Sequence, residues 1–384
     1  MGATIAEKIL ARVSGRDSVR PGDEVAAKPD FVIAYDFPGY TDVIFRQMKE
    51  EFGIDKVAEP ERYALFIDHM VPAVTPAEED LHQVTRDWGA MNGVPVYERR
   101  GIGHHVASEL GYAVPRAFAV HFDGHISQMG TIGTLAMGVR KHLLEAFVKE
   151  RIKMRVPETV RVNLNGRLPE GVMARDAFHH IVRVLGPAAC CFQVLEIGGD
   201  ALPHISIDGR QTINCLAMFT GAVTSIMNPD ADTLAYMQDR ARIDLDPVYS
   251  DDDADYAAVH DIDVSELEPV VVVPPRPSNT QDLSDYAGTD VQVGYLGSCA
   301  SGRLEDLEIA ARVLRGQRVK DGFQLNVVPT SQAIMEEASA KGILTDLIAA
   351  GAYVTSSSCD YCFGRAGVMT AGQRAVSTGT LNVR

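Results

Sequence analysis

The sequence, 384 residues long, has no apolar run near the roughly 18 residues that a membrane-spanning helix needs, so no membrane span is expected. A basic excess is missing too. The 36 Lys and Arg face 52 Asp and Glu, a formal net charge of −16. Binding driven by phosphate neutralisation depends on clustered cations, and a nucleic-acid partner is therefore not expected. The amino terminus, Met1-Gly2-Ala3-Thr4-Ile5-Ala6-Glu7-Lys8, offers no apolar stretch after a basic region. Neither a signal peptide nor a transit segment is read there, which makes the cytoplasm the expected compartment. No internal repeat and no low-complexity tract is visible. Cysteine is scarce, with six in the chain: Cys190, Cys191, Cys215, Cys299, Cys359 and Cys362. In a long chain without signal features, metal or redox chemistry is a better first reading of them than structural disulfides.

With 46% hydrophobic and 23% charged residues, the chain has a globular composition and the length for more than one core. Apolar runs such as Phe31-Val32-Ile33-Ala34-Tyr35, Tyr63-Ala64-Leu65-Phe66-Ile67 and Ala117-Phe118-Ala119-Val120 read as buried strands. Helical spacing falls between them, including Thr134 to Arg151. The second and third runs lead directly into Asp68-His69 and into His121-Phe122-Asp123-Gly124-His125. In open α/β sheets ligands bind beyond the carboxyl ends of strands, so this placement is suggestive of a site. Further on come a strand from Val160, helices at Ala174–Leu185 and near Gln211–Met227, and an irregular stretch from Asp251 through Val270-Val271-Val272-Val273-Pro274 that reads as an interdomain connection. The last third resumes the alternation, with helices at Leu304–Leu314 and Ser331–Ile348. The expected architecture is three α/β/α domains over 1–157, 158–272 and 273–384.

Cys359-Asp360-Tyr361-Cys362 brings two thiols to one side of a turn, a spacing that suits a redox disulfide, a zinc knuckle or an iron–sulfur cluster. Cys299 follows a predicted strand in Gly297-Ser298-Cys299 and supplies a third thiol. The second C-x-x-C of a Cys₄ zinc ribbon is absent. Three thiolates without a fourth leave one iron of a [4Fe–4S] cluster open to substrate; zinc held by three Cys and one of the 11 His is the competing reading.

The run Gly297-Ser298-Cys299-Ala300-Ser301-Gly302-Arg303-Leu304-Glu305-Asp306-Leu307 resembles the Gly-Ser-Cys-Thr-Asn-Ser-Arg-x-x-Asp-Leu signature of the aconitase superfamily. Ser357-Ser358-Cys359-Asp360-Tyr361-Cys362-Phe363-Gly364 resembles its second signature. Asp68-His69, Gly101-Ile102-Gly103-His104 and Asp123-Gly124-His125 are similar to its Asp-His, Gly-Ile-x-His and Asp-Ser-His. Val162-Asn163-Leu164-Asn165-Gly166-Arg167-Leu168-Pro169 and Leu195-Glu196-Ile197-Gly198-Gly199 resemble the large-subunit branch of isopropylmalate dehydratases.

The resemblance implies a hydro-lyase whose [4Fe–4S] cluster is held by Cys299, Cys359 and Cys362, with one iron lacking a protein ligand. It implies catalytic roles for Asp68, His69, His104, Asp123, His125 and Glu196, substrate contacts from Arg303 and Ser301, and cluster-sulfur contacts from Ser298 and Ser301. The substrate class is a small hydroxy-dicarboxylate such as an isopropylmalate- or methylmalate-like acid. The family's swivelling fourth domain has no counterpart in the sequence, which implies a small-subunit partner in a heterodimer or heterotetramer. His105, His179, His180 and His204 read as surface or packing residues, and Cys190 and Cys191 as a buried pair. Four departures stand out: Gly124 for Ser, Ala300-Ser301 for Thr-Asn, Cys215 for Asn, and Thr380-Leu381 for Asn-Arg. They point to an altered substrate, or to an aconitase-fold binding or regulatory protein without the hydratase reaction.

Overall fold

The computed structural model describes residues 2–366 and 369–380. Three parallel sheets carry the fold. The first runs Val96–Glu98, Tyr63–Ile67, Phe31–Tyr35, Phe118–His121, Leu135–Gly138 across its width. The second runs Thr224–Met227, Val194–Gly198, Thr159–Asn165, Ala258–Asp263. In the third the order is Tyr353–Val354, Gln324–Val328, Val293–Gly297, Ala375–Ser377. Each sheet places its first strand inside and winds outward to both sides, so each has a switch point where the chain reverses direction across the sheet. Every residue of Phe31–Tyr35 and of Tyr63–Ile67 is buried, as expected for parallel strands covered on both faces. Each large apolar side chain removed from water there contributes about 1.5–3 kcal/mol.

The structure revises several expected elements. Thr134–Arg151 is not one helix: Leu135–Gly138 pairs with Phe118–His121 as an edge strand, and only Leu143–Lys149 is α-helical. A short strand-like run and a short helix had merged into one apolar period. The helix near Gln211–Met227 ends at Leu216, and Thr224–Met227 is a strand of the second sheet. Ser331–Ile348 divides into Gln332–Ala340 and Ile343–Ala349 at Gly342, whose φ of 75° leaves the helical region. Val270–Val272 is a strand, paired antiparallel with Thr280–Asp282. Among the described residues no helix is long and apolar enough to cross a membrane.

Candidate active site

Around the switch point of the first sheet, three strands end on ionisable residues: Asp36 after Phe31–Tyr35, Asp68 and His69 after Tyr63–Ile67, and His121 to Asp123 at the end of Phe118–His121. Asp68 Oδ1 accepts a hydrogen bond from His69 Nδ1 at 2.7 Å, and Asp68 Oδ2 accepts the Gly103 N–H at 2.6 Å. A side chain at Gly103 is excluded, since its Cβ would stand 2.8 Å from Phe66 Cβ. That Gly103 opens the helix Gly103–Glu109, which carries His104. A second pair repeats the arrangement: Asp123 Oδ1 accepts both the His125 backbone N–H at 2.7 Å and His125 Nδ1 at 2.8 Å.

Burial opposes a positive charge on either imidazole, but in both pairs the carboxylate prevails. The charge and hydrogen bond of Asp68, followed by the charges of Asp36 and Asp360, raise His69 above the ordinary histidine value. His125 is pushed up to about 10, with Asp123 and the Cys299 thiolate overcoming desolvation. Asp123 is correspondingly held well below the usual carboxylate range by His125, again against burial. His121 behaves oppositely: burial lowers it to about 3, so it is neutral, and its Nδ1 accepts the Asp123 N–H at 2.7 Å.

Three ring nitrogens have buried positions and no protein partner here, His125 Nε2 and both nitrogens of His104. The His104 and His125 rings stack with centroids 6.1 Å apart. Uncompensated buried polar atoms are costly, so three of them in one place mark a space built for a polar occupant.

The third sheet faces this space with sulfur. Cys299 leaves the end of Val293–Gly297 through Ser298, which has a positive φ of 70°, an uncommon conformation for a residue with a side chain. Cys359 and Cys362 follow Tyr353–Val354, and their thiols lie against one another within electrostatic reach of Cys299 and His125. All six cysteines are free. The two halves of the site are fastened together directly. Asp360 accepts the Met70 and Val71 N–H groups at 2.6 and 3.0 Å, the Cys359 N–H donates to the Asp68 carbonyl at 3.1 Å, and Arg365 joins Asp360 to Glu78.

Of the residues expected from sequence, Asp68, His69, His104, Asp123, His125, Cys299, Cys359 and Cys362 come together. Glu196 is not brought to them. It is fully buried, and its carboxylate accepts from Arg161, Asn228, Ser250 and Tyr256 at 2.5–3.1 Å, which makes it a structural tie in the second sheet. Ser301 directs its hydroxyl to the Ala300 carbonyl, with Arg175 Nη1 at 3.5 Å. Ser298 Oγ meets Thr380 Oγ1 at 3.2 Å. Arg303 is wholly buried and donates to Gln211, Thr212 and Gln128 at 2.8–2.9 Å, all neutral acceptors.

Among the departures, Gly124 leaves room: a Cβ there would meet Met218 Cε at 3.6 Å, ordinary contact. Thr380 places its Oγ1 3.2 Å from Cys299 Sγ, while Leu381 lies outside the described residues. Cys191 is exposed although Cys190 is buried, so the two are not a buried pair. His105 and His179 are buried packing residues, and His204 is exposed.

Sequence reasoning missed Asp36, His82, Arg175 and Asp360. His82 Nε2 lies 3.1 Å from the His69 carbonyl oxygen and 2.8 Å from Asp36 Oδ2, and Asp36 Oδ1 accepts the Asp68 N–H at 3.1 Å. Asp36 carried a usable signal, since it ends its strand just as Asp68 does. Arg175 carried none: it reads as one more cation in the first turn of Ala174–Leu185, yet Nη2 donates to the Gly379 carbonyl at 2.8 Å.

The profile of the Aconitase family (aconitate hydratase) matches residues 12–289 and 281–384. The chain belongs to the aconitase family. The 3-isopropylmalate dehydratase large subunit 1 of Methanopyrus kandleri is 35% identical over 386 residues, covering 100% of this chain and 91% of that protein. The corresponding large subunit of Aquifex aeolicus is 33% identical over 391 residues, covering 100% and 90%. The aconitase X holo-form of Thermococcus kodakaraensis aligns with a TM-score of 0.49 at 12% identity, covering 92% of this chain and 83% of that one. As a member of the aconitase family the chain is an iron–sulfur hydro-lyase.

Proposed function

We propose that this chain is the large subunit of a dehydratase acting on a small hydroxy-dicarboxylate of the isopropylmalate or methylmalate kind, with Cys299, Cys359 and Cys362 holding a [4Fe–4S] cluster. The observation that carries the reading is the buried, unpartnered Nε2 of His125 near the free thiols of Cys299 and Cys362. The residues fit the group: the donors are soft thiols, Thr380 offers a hydroxyl to Cys299, and the orphaned imidazole nitrogens border the same space. When bound, the cluster supplies a Lewis-acidic iron without a protein ligand, which polarises the substrate hydroxyl and one carboxylate.

The chain's own residues handle the proton. His125 is protonated at neutral pH because Asp123 and Cys299 favour its cation, and Nε2 is its one free donor, so it delivers the proton that lets hydroxide leave as water. Asp123 fixes the ring from the Nδ1 side and stays ionised throughout. His69, oriented by Asp68, is the second imidazole of the site whose cation a paired carboxylate favours against burial. The buried guanidinium of Arg303, with only neutral acceptors, and Arg175 beside Ser301 supply positive charge for the substrate carboxylates. Removal of the carbon-bound proton falls to a small subunit bearing the swivel domain, and together the two form the heteromeric enzyme.

The test pairs the anaerobically reconstituted chain with its small subunit and follows the unsaturated acid formed from isopropylmalate and methylmalate. Turnover of one of them is expected. Asp123→Asn is expected to keep its iron and lower kcat by about 10²–10⁴-fold. Full activity in that variant contradicts the assignment.

A further inference from the structure

Cys215 has no part in the proposed reaction, yet its thiol lies against that of Cys299. Their Sγ atoms stand 3.7 Å apart, and Cys215 is fully buried. That separation is far longer than a disulfide bond of about 2.05 Å. It is also not the spacing of thiolates on two irons of one cluster, whose bonds diverge outward. Two thiolates about 2.3 Å from a single tetrahedral ion stand about 3.8 Å apart. A third donor completes the set. One ring nitrogen of His104 and the two sulfurs all lie within 4.8 Å of one another, and neither His104 nitrogen has a protein partner.

We propose that this chain has a second metal-binding mode, in which Cys215, Cys299 and His104 hold one thiophilic divalent cation of the Zn²⁺ or Fe²⁺ class. Two cysteines and a histidine leave the fourth tetrahedral position open, the ligand count of a catalytic rather than a structural site. The frame is fixed before metal arrives. Thr212, on the helix Ile207–Leu216 that bears Cys215, donates to the Ala300 carbonyl at 2.9 Å, which ties that helix to the residue following Cys299. Asn214 is anchored in turn by Thr131 and Ser225 at 2.9 and 2.6 Å. Charge balances as well: two thiolates neutralise the dication, and any thiol proton displaced on binding leaves to solvent. The Arg303 guanidinium donates to Gln211, Thr212 and Gln128 and has no carboxylate on it among the described residues. Because Cys299 serves both modes, the single ion and the cluster exclude one another.

This mode shares only Cys299 with the cluster assignment, and one set of variants separates the two. Cobalt(II) is the probe, added without oxygen to the iron-free full-length chain. One cobalt per chain is expected, with the visible bands of four-coordinate cobalt and a thiolate-to-cobalt charge-transfer band. Cys215→Ser is expected to lose about half or more of that band while still rebuilding a cluster from iron and sulfide, since one of two thiolate ligands is gone. Cys362→Ser is expected to keep the full cobalt spectrum and fail to rebuild the cluster. His104→Asn is expected to shift the visible bands with the charge-transfer intensity retained. An unchanged cobalt spectrum in Cys215→Ser, or its loss in Cys362→Ser, overturns the second mode and leaves the cluster assignment to be judged by reconstitution alone.

Discussion

His125 is held by Asp123 through both its ring and its backbone N–H, so its orientation and its charge come from one carboxylate. Its folded value of about 10 lies above the ordinary 6.5, and the sign of the consequence follows. In the cluster-free protein the Asp123–His125 pair contributes stability that is fully present below about pH 6.5 and is lost as pH rises toward about 10. Urea midpoints measured across that window are expected to fall with pH in the parent and to flatten in His125→Gln; an equal slope in both contradicts the pairing. Gly124 gives the opposite kind of prediction. Space for a Cβ exists beside Met218, so Gly124→Ser is expected to leave stability within about 0.5 kcal/mol and to alter KM for the hydroxy acid. A thermal shift of several degrees means the site there is tighter than its contacts indicate.

At the scale of elements, the site depends on strand ends and on the loops that leave them. Asp360 illustrates this: it satisfies two N–H groups of the Asp68 loop while sitting between two proposed cluster ligands. Asp360→Ala orphans both, an expected cost of about 1–3 kcal/mol, and separates the thiol loop from the imidazoles. Iron retention after reconstitution is expected to drop in this variant with the far-ultraviolet circular dichroism unchanged; full iron content contradicts the latch.

The motifs at strand ends were legible in the sequence because a polar residue after an apolar run has few other reasons to be there, as Asp68, Asp123 and Cys299 show. Helix Leu304–Leu314 was legible to the residue. Edge strand Leu135–Gly138 was not, since four residues before a helix carry no period of their own. The surroundings of Glu196 were not legible, because its motif names a residue type and not the partners, Arg161 and Tyr256, that arrive from 35 and 60 residues away. Arg175 and Cys215 come to the site through contacts between sheets, which no local pattern records.

Across the whole molecule, three sheets share the same outward winding with no detectable sequence repeat, and the first and third bring strand ends toward common ground. The first contributes imidazoles and carboxylates, the third contributes thiols, and the helix Ile207–Leu216 beside the second sheet closes the wall with Cys215 and Thr212. Such division of labour lets each part fold on local hydrophobic pattern while the chemistry appears only when all are assembled. The proposed cluster, held by Cys299, Cys359 and Cys362, keeps one iron open to substrate. The most direct test of that claim is electron paramagnetic resonance of the anaerobically reconstituted chain before and after mild oxidation. A diamagnetic [4Fe–4S] cluster that yields a three-iron signal on oxidation is the predicted result, because an iron without a protein ligand is the first to leave. A chain that takes up no iron and sulfide, or a cluster that gives no three-iron species, contradicts the account.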